Sequence, residues 1–194
     1  AFNEGYDTNP VVSGQGQLAW LQMDEPGYES DKNDIVLMVD GKPVNLTAHW
    51  DGTVFSFIFS ENGKKIYFTA PVDGTRQLFE LPIPKKGNAQ IKQVTNGQFD
   101  VNGLVGLSGN NTLVVTRTDM NHASEIYTVN LKDGSMTQLT HQNDATYDQI
   151  GLSKVDKRMV TTTDGKQMVT WVIYPPDFAP KKKYPTLLYC QGGP

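Results

Sequence analysis

The 194-residue chain is 38% hydrophobic, contains 18 glycines and 11 prolines, and carries a formal net charge of −4. Its length suits one full domain or one and a half, and its acidic balance argues against a phosphate backbone or an anionic membrane surface as partner. The single cysteine, Cys190, excludes an internal disulfide and a cysteine metal cluster, and no 18-residue apolar span or signal-peptide pattern is present.

No stretch sustains an apolar period of 3.6 residues, so little helix is expected. The chain instead repeats three anchors in a constant order. The first is a small-residue turn running into an apolar strand: Ser13-Gly14-Gln15-Gly16 before Leu18, Ser60-Glu61-Asn62-Gly63 before Ile66, and Ser108-Gly109 before Leu113. The serines stand 47 and then 48 residues apart. The second is a strand ahead of a polar turn, at Ile35 to Val39, Gln77 to Leu81 and Glu125 to Leu131. The third is a short strand ending in Leu46-Thr47, Val94-Thr95 or Leu139-Thr140. Asp40-Gly41 and Asp133-Gly134 read as hairpin turns, because glycine accepts the positive φ the turn demands. The middle unit has a longer loop there, Pro84 to Ala89. Phe55, Phe57 and Phe59 alternate onto one strand face.

Four short strands in roughly 45 residues is the period of a β-propeller blade. Three blades are predicted, at about 1–47, 48–95 and 96–140. From Gln142 the pattern changes. Lys157 to Thr163 and Gln167 to Tyr174 flank Asp164-Gly165 as a hairpin, and Pro175-Pro176 opens a stiff connector. Tyr184 to Cys190 then reads as a strand buried on both faces, with Cys190 as a small buried hydrophobe, running into Gln191-Gly192-Gly193-Pro194. The expected fold class is all-β: a partial propeller over 1–150, then a second domain's opening strands over 151–194.

Thr163-Asp164-Gly165-Lys166, a strand ending Tyr174-Pro175-Pro176, and Lys183-Tyr184-Pro185 before an apolar strand and Gly-Gly-Pro together resemble the propeller-to-hydrolase junction of the prolyl oligopeptidase family of serine peptidases. The bacterial dipeptidyl-peptidase and acylaminoacyl-peptidase branch is the most similar. The resemblance implies an α/β-hydrolase domain capped by a substrate-filtering propeller, short peptides as substrates, no cofactor, and a periplasmic or secreted bacterial setting with the cytoplasm left open. It also implies that Gly192 and Gly193 form the oxyanion-hole turn, Gly193 donating its backbone N–H. Gln191 departs from the histidine many members carry. Gly-x-Ser-x-Gly does not occur in the chain, so the sequence is expected to be a catalytically inert piece of a peptidase.

His49, His122 and His141 lack metal-ligand spacing and are read as loop histidines, so no metal site is expected. The polar run Arg117 to His122 is expected in a hairpin loop, with Arg117 and Asn121 as candidate substrate contacts. Trp50 fits either an inter-blade site or blade packing. Open blade edges are expected to promote self-association. Neither nucleic-acid binding nor membrane insertion is expected. The rival reading is a non-enzymatic, TolB-like propeller that serves as a protein-binding scaffold.

Overall fold

A computed structural model of the chain describes residues 3–109 and 111–190. It divides into two compact units, Ala1–Asp119 with Ala123–Thr140, and Met120–His122 with His141–Pro194.

The first unit contains three antiparallel meanders, each with its four strands in sequence order. The first comprises β1 (Asp7–Val12), β2 (Leu18–Gln22), β3 (Asp34–Val39) and β4 (Lys42–Asn45). The second comprises β5 (Ser56–Phe59), β6 (Lys65–Val72), β7 (Thr75–Pro82) and β8 (Lys92–Gln93). The third comprises β9 (Asp100–Leu107), β10 (Thr112–Thr118), β11 (Glu125–Asn130) and β12 (Met136–Gln138). All three anchors read from the sequence have a structural counterpart. Ser13, Ser60 and Ser108 close the first hairpin of their sheets, their backbone N–H groups donating to Gln17, Lys65 and Thr112 carbonyls at 2.8 Å each. Asp40 and Gly41 both take positive φ, 50° and 75°, in the tight β3–β4 turn. The edge strand β1 is blunted by Pro10 and by Asn9 at φ 51°, where its pairing with β2 shifts register.

The Leu/Val-Thr anchors lie just past the last strand of each sheet and tie it to the third. Thr47 Oγ1 donates to Asp34 Oδ1 at 2.6 Å and accepts the Ile35 N–H at 3.0 Å, while the Leu46 N–H donates to the Ile35 carbonyl at 2.8 Å. Thr95 repeats this with Gln77 Oε1 and the Leu78 N–H, both at 2.9 Å. Thr140 bonds Glu125 and accepts the Ile126 N–H at 2.9 Å. The residue two before each threonine, Asn45, Gln93 or Gln138, bonds back to the threonine's own backbone.

Strand alternation divides the second sheet's side chains between two cores. Ile66, Phe68, Ala70, Phe79 and Leu81 pack with Ala19, Leu21, Ile35 and Leu37 of the first sheet. Tyr67 and Leu78 point the other way and pack with Val101, Leu113, Val115 and Val129 of the third. Phe68 stacks on Phe79 at 5.3 Å, and Trp50 meets both rings edge-on, so Trp50 is a packing residue of the first core. Phe57 and Phe59 are buried there, but Phe55 precedes β5 and is exposed, which corrects its expected place beside them. Between the second and third sheets the buried Tyr67 lies directly across the strand pair from Glu80, whose carboxylate pairs with Lys65 at 2.9 Å. Burial, and then the Glu80 charge, push the Tyr67 phenol up to about 12.

The second unit has a short helix, α1 (Asp144–Tyr147), and a two-stranded hairpin of β13 (Val155–Thr161) and β14 (Gln167–Ile173) turning at Gly165. The expected buried strand over Tyr184 to Cys190 is not formed. Those residues have no strand assignment, Leu187, Leu188 and Tyr189 are 97%, 86% and 81% exposed, and Cys190 is exposed too. A strand buried on both faces needs neighbours to complete its ladder and cover its side chains, and no sheet among the described residues includes this run.

Three outcomes are expected. Thr95→Val leaves the buried Leu78 N–H and Gln77 amide short of a partner and should cost about 2 kcal/mol in chemical denaturation; Thr140→Val, in a more exposed copy, should cost less. Gly134→Ala should destabilise by more than about 1 kcal/mol, because φ is 75° there and an added Cβ would collide with the Val94 carbonyl. Because the folded-state pKa of Tyr67 is raised, its stabilising contribution is complete below the unfolded value near 10 and is lost as pH rises toward 12. Denaturation at stepped pH should show an alkaline loss on the order of 2 kcal/mol that Tyr67→Phe abolishes.

Candidate functional site

Arg117 lies within β10 rather than in the loop where the sequence placed it, because the strand runs on to Thr118. Its Cα partners are Val101 on β9 and Glu125 on β11. Leu113 and Val115 on the same strand face are buried in the second core, and Arg117 continues that face to the rim. There its guanidinium lies over the Phe99 ring at 4.1 Å and over the Tyr127 ring at 4.9 Å. Each such contact contributes about 0.5–1 kcal/mol or more as solvent is excluded, and fixes the plane of the fork.

Arg76, which the sequence reading passed over, sits in a matching environment. It follows the Asp73-Gly74 turn on β7 and carries its guanidinium over Phe55 at 4.1 Å. Its backbone N–H donates to Asp100 Oδ1 at 2.6 Å, and Asp100 begins β9 one residue before Val101. The second and third sheets therefore each hold an arginine head on the aromatic residue immediately preceding their first strand, Phe55 before β5 and Phe99 before β9. The signal legible in the sequence was the aromatic at that position in two successive repeats.

At the serine-turn end of the same two sheets, Lys65, Tyr67, Asn62 and Leu107 line a cavity of about 190 Å³. Tyr67 stays neutral there and the Lys65 charge is met by Glu80, so the cavity presents mainly hydrogen-bonding groups, with the exposed Glu61 also lining it.

The remaining residues singled out are His49 in the first unit, Asn121, His122 and His141 in the second, and the glycine pair outside the described residues. Asn121 Nδ2 donates to the Ser153 carbonyl at 2.8 Å. His122 meets the Tyr147 ring edge-on at 4.9 Å, and His141 Nδ1 lies 2.8 Å from Asp144 Oδ2. In the first unit, His49 Nε2 lies 2.9 Å from the Ala89 carbonyl. Among the described residues no group of His, Cys, Asp and Glu is arranged to hold a metal ion. In the hairpin region Arg158 donates to the Tyr174 hydroxyl at 2.6 Å. Lys154, and then Tyr174, hold the Asp156 carboxyl below its ordinary range by hydrogen bonding. Gly192 and Gly193, expected as the oxyanion-hole turn, lie outside the described residues.

Residues 21–169 match the family described as the dipeptidyl peptidase IV (DPP IV) N-terminal region. Dipeptidyl-peptidase 5 of Porphyromonas gingivalis is 36% identical over 193 residues, covering 98% of this chain and 28% of its own length. The chain thus spans little more than a quarter of that relative. Among solved structures, the acylaminoacyl peptidase of Pyrococcus horikoshii superposes with a TM-score of 0.65 at 18% identity, over 86% of this chain and 25% of that one. The β-propeller domain of the trilobed protease from Pyrococcus furiosus superposes at 0.51 with 21% identity, over 70% of this chain and 38% of that one. The ordered four-stranded meanders, their two-sided packing and the match over residues 21–169 agree: the chain belongs to the dipeptidyl peptidase IV N-terminal region family.

Proposed function

We propose that this chain is part of a prolyl-oligopeptidase-family serine peptidase that cleaves short peptides from their N-terminal side by acyl transfer. Residues 1–150 supply three blades of the propeller that gates access. Residues 151–194 lead into the α/β-hydrolase domain. The reaction needs a serine nucleophile, a histidine base and an orienting aspartate, supplied outside these residues, and an oxyanion hole to which the Gly193 N–H contributes. Arg117 and Asn121 are the propeller's candidate substrate contacts.

The observation that carries the reading is likeness along nearly the whole chain. The relative named as a dipeptidyl-peptidase is 36% identical over 98% of it, whereas the TolB structures share the fold at only 14% and 18% identity. This sequence likeness favours the peptidase over a TolB-like binding platform, since fold alone would not separate them. The α/β-hydrolase domain is implied by the family.

The whole protein should release a chromogenic leaving group from an N-terminally free dipeptide substrate and lose that activity to a serine-directed phosphonate. The 194-residue chain alone should do neither. Titratable turnover by the isolated chain would refute the division of labour, and a whole protein without turnover would return the scaffold reading to first place.

A further inference from the structure

Arg76 and Arg117 are the arginines of the first unit, and among the described residues neither guanidinium has a carboxylate within ion-pair reach. The contrast with the lysines is direct: Lys32 pairs with Asp34 at 2.8 Å and Lys65 with Glu80 at 2.9 Å. Two acids do stand beside the arginines. Asp100 Oδ1 takes the Arg76 backbone N–H, and Glu125, the cross-strand partner of Arg117, takes the Thr140 hydroxyl. Both guanidinium heads are instead held by ring faces, Arg76 by Phe55 and Arg117 by Phe99 and Tyr127.

A ring covers the face of a guanidinium and leaves the N–H donors along its edge unused. No buried side-chain nitrogen among the described residues lacks a hydrogen-bond partner, so these edges open to solvent. Leu78 of β7 and Leu113 and Val115 of β10 share the core between the second and third sheets. Arg76 and Arg117 continue those strand faces to its rim, joined through the start of β9, where Asp100 touches Arg76 and Val101 pairs with Arg117.

We propose that Arg76 and Arg117 form a carboxylate-binding site for an acidic peptide. Planar forks whose orientation is already fixed lose little entropy on accepting the two oxygens of a carboxylate, the geometry they match in bidentate fashion. Because Asp100 and Glu125 balance the two positive charges locally, recognition depends on directed hydrogen bonds more than on a long-range field, and its salt dependence is shallow. The proposal rests on the peptide-processing reading and names the substrate chemistry that would meet the propeller. The carboxylate can belong to an Asp or Glu side chain or to the peptide's C-terminus.

The test is a fluorescence-anisotropy titration of the whole protein with three labelled peptides of one sequence: a neutral C-terminal amide, the same amide with one Glu, and the neutral peptide as a free acid. At least one carboxylate form should bind about tenfold more tightly than the neutral amide; the Glu peptide alone would assign a side chain, the free acid alone a C-terminus. Arg76→Lys and Arg117→Lys keep charge and ring contact but lose the fork, and each should reduce the preference several-fold; the double Arg76→Gln, Arg117→Gln variant, with its melting curve checked, should abolish it. Equal affinity for all three peptides, no binding of any, or an undiminished preference in the Lys variants would overturn the proposal. Cleavage of the same peptides is followed in parallel: preference without cleavage would sink only the peptidase reading, and cleavage without preference only this site.

Discussion

A threonine hydroxyl just past the last strand of each sheet is the contact on which the rest of the first unit depends. Thr47, Thr95 and Thr140 each accept the N–H of a third-strand residue and bond the polar side chain preceding it, Asp34, Gln77 or Glu125. The fourth strands are only two to four residues long, too short to hold register by ladder bonds alone. One hydroxyl that both donates and accepts satisfies two groups that would otherwise be costly to bury. With the outer strand pinned, the third strand's apolar face is held against the neighbouring sheet, and layering follows.

That layering gives the second sheet two different faces. The face toward the first sheet is aromatic and dry, built on the Phe68–Phe79 stack and Trp50. The face toward the third carries Tyr67 and Leu78 in its interior and polar or charged groups at its rims, the Lys65–Glu80–Tyr67 group at one end and Arg76 at the other. Chemistry of interest collects at the rims because a charged head there can keep its apolar stem in the core and its donors in solvent.

Much of this was legible in the sequence. The serine turns, the Asp40-Gly41 hairpin and the Leu/Val-Thr anchors recur because each answers a local backbone demand, and local demands leave local signatures. The site was less legible. Arg117 was singled out for its polar neighbourhood, yet its strand position and its ring partners Phe99 and Tyr127 come from pairing across β9, β10 and β11. Arg76 carried no motif at all. Phe55 looked like a third core phenylalanine by alternation, but the strand begins one residue later and the ring serves the arginine instead.

The sequence by itself determined the repeat, its period and its turns, since each is written in residues close together along the chain. Only the tertiary structure decided which apolar runs become core. Ile66 to Ala70 is buried because sheets lie on both sides of it, whereas Leu187 to Tyr189, equally apolar, stands exposed. Burial belongs to the pair of surfaces that meet, and a run of hydrophobic residues specifies only one of them.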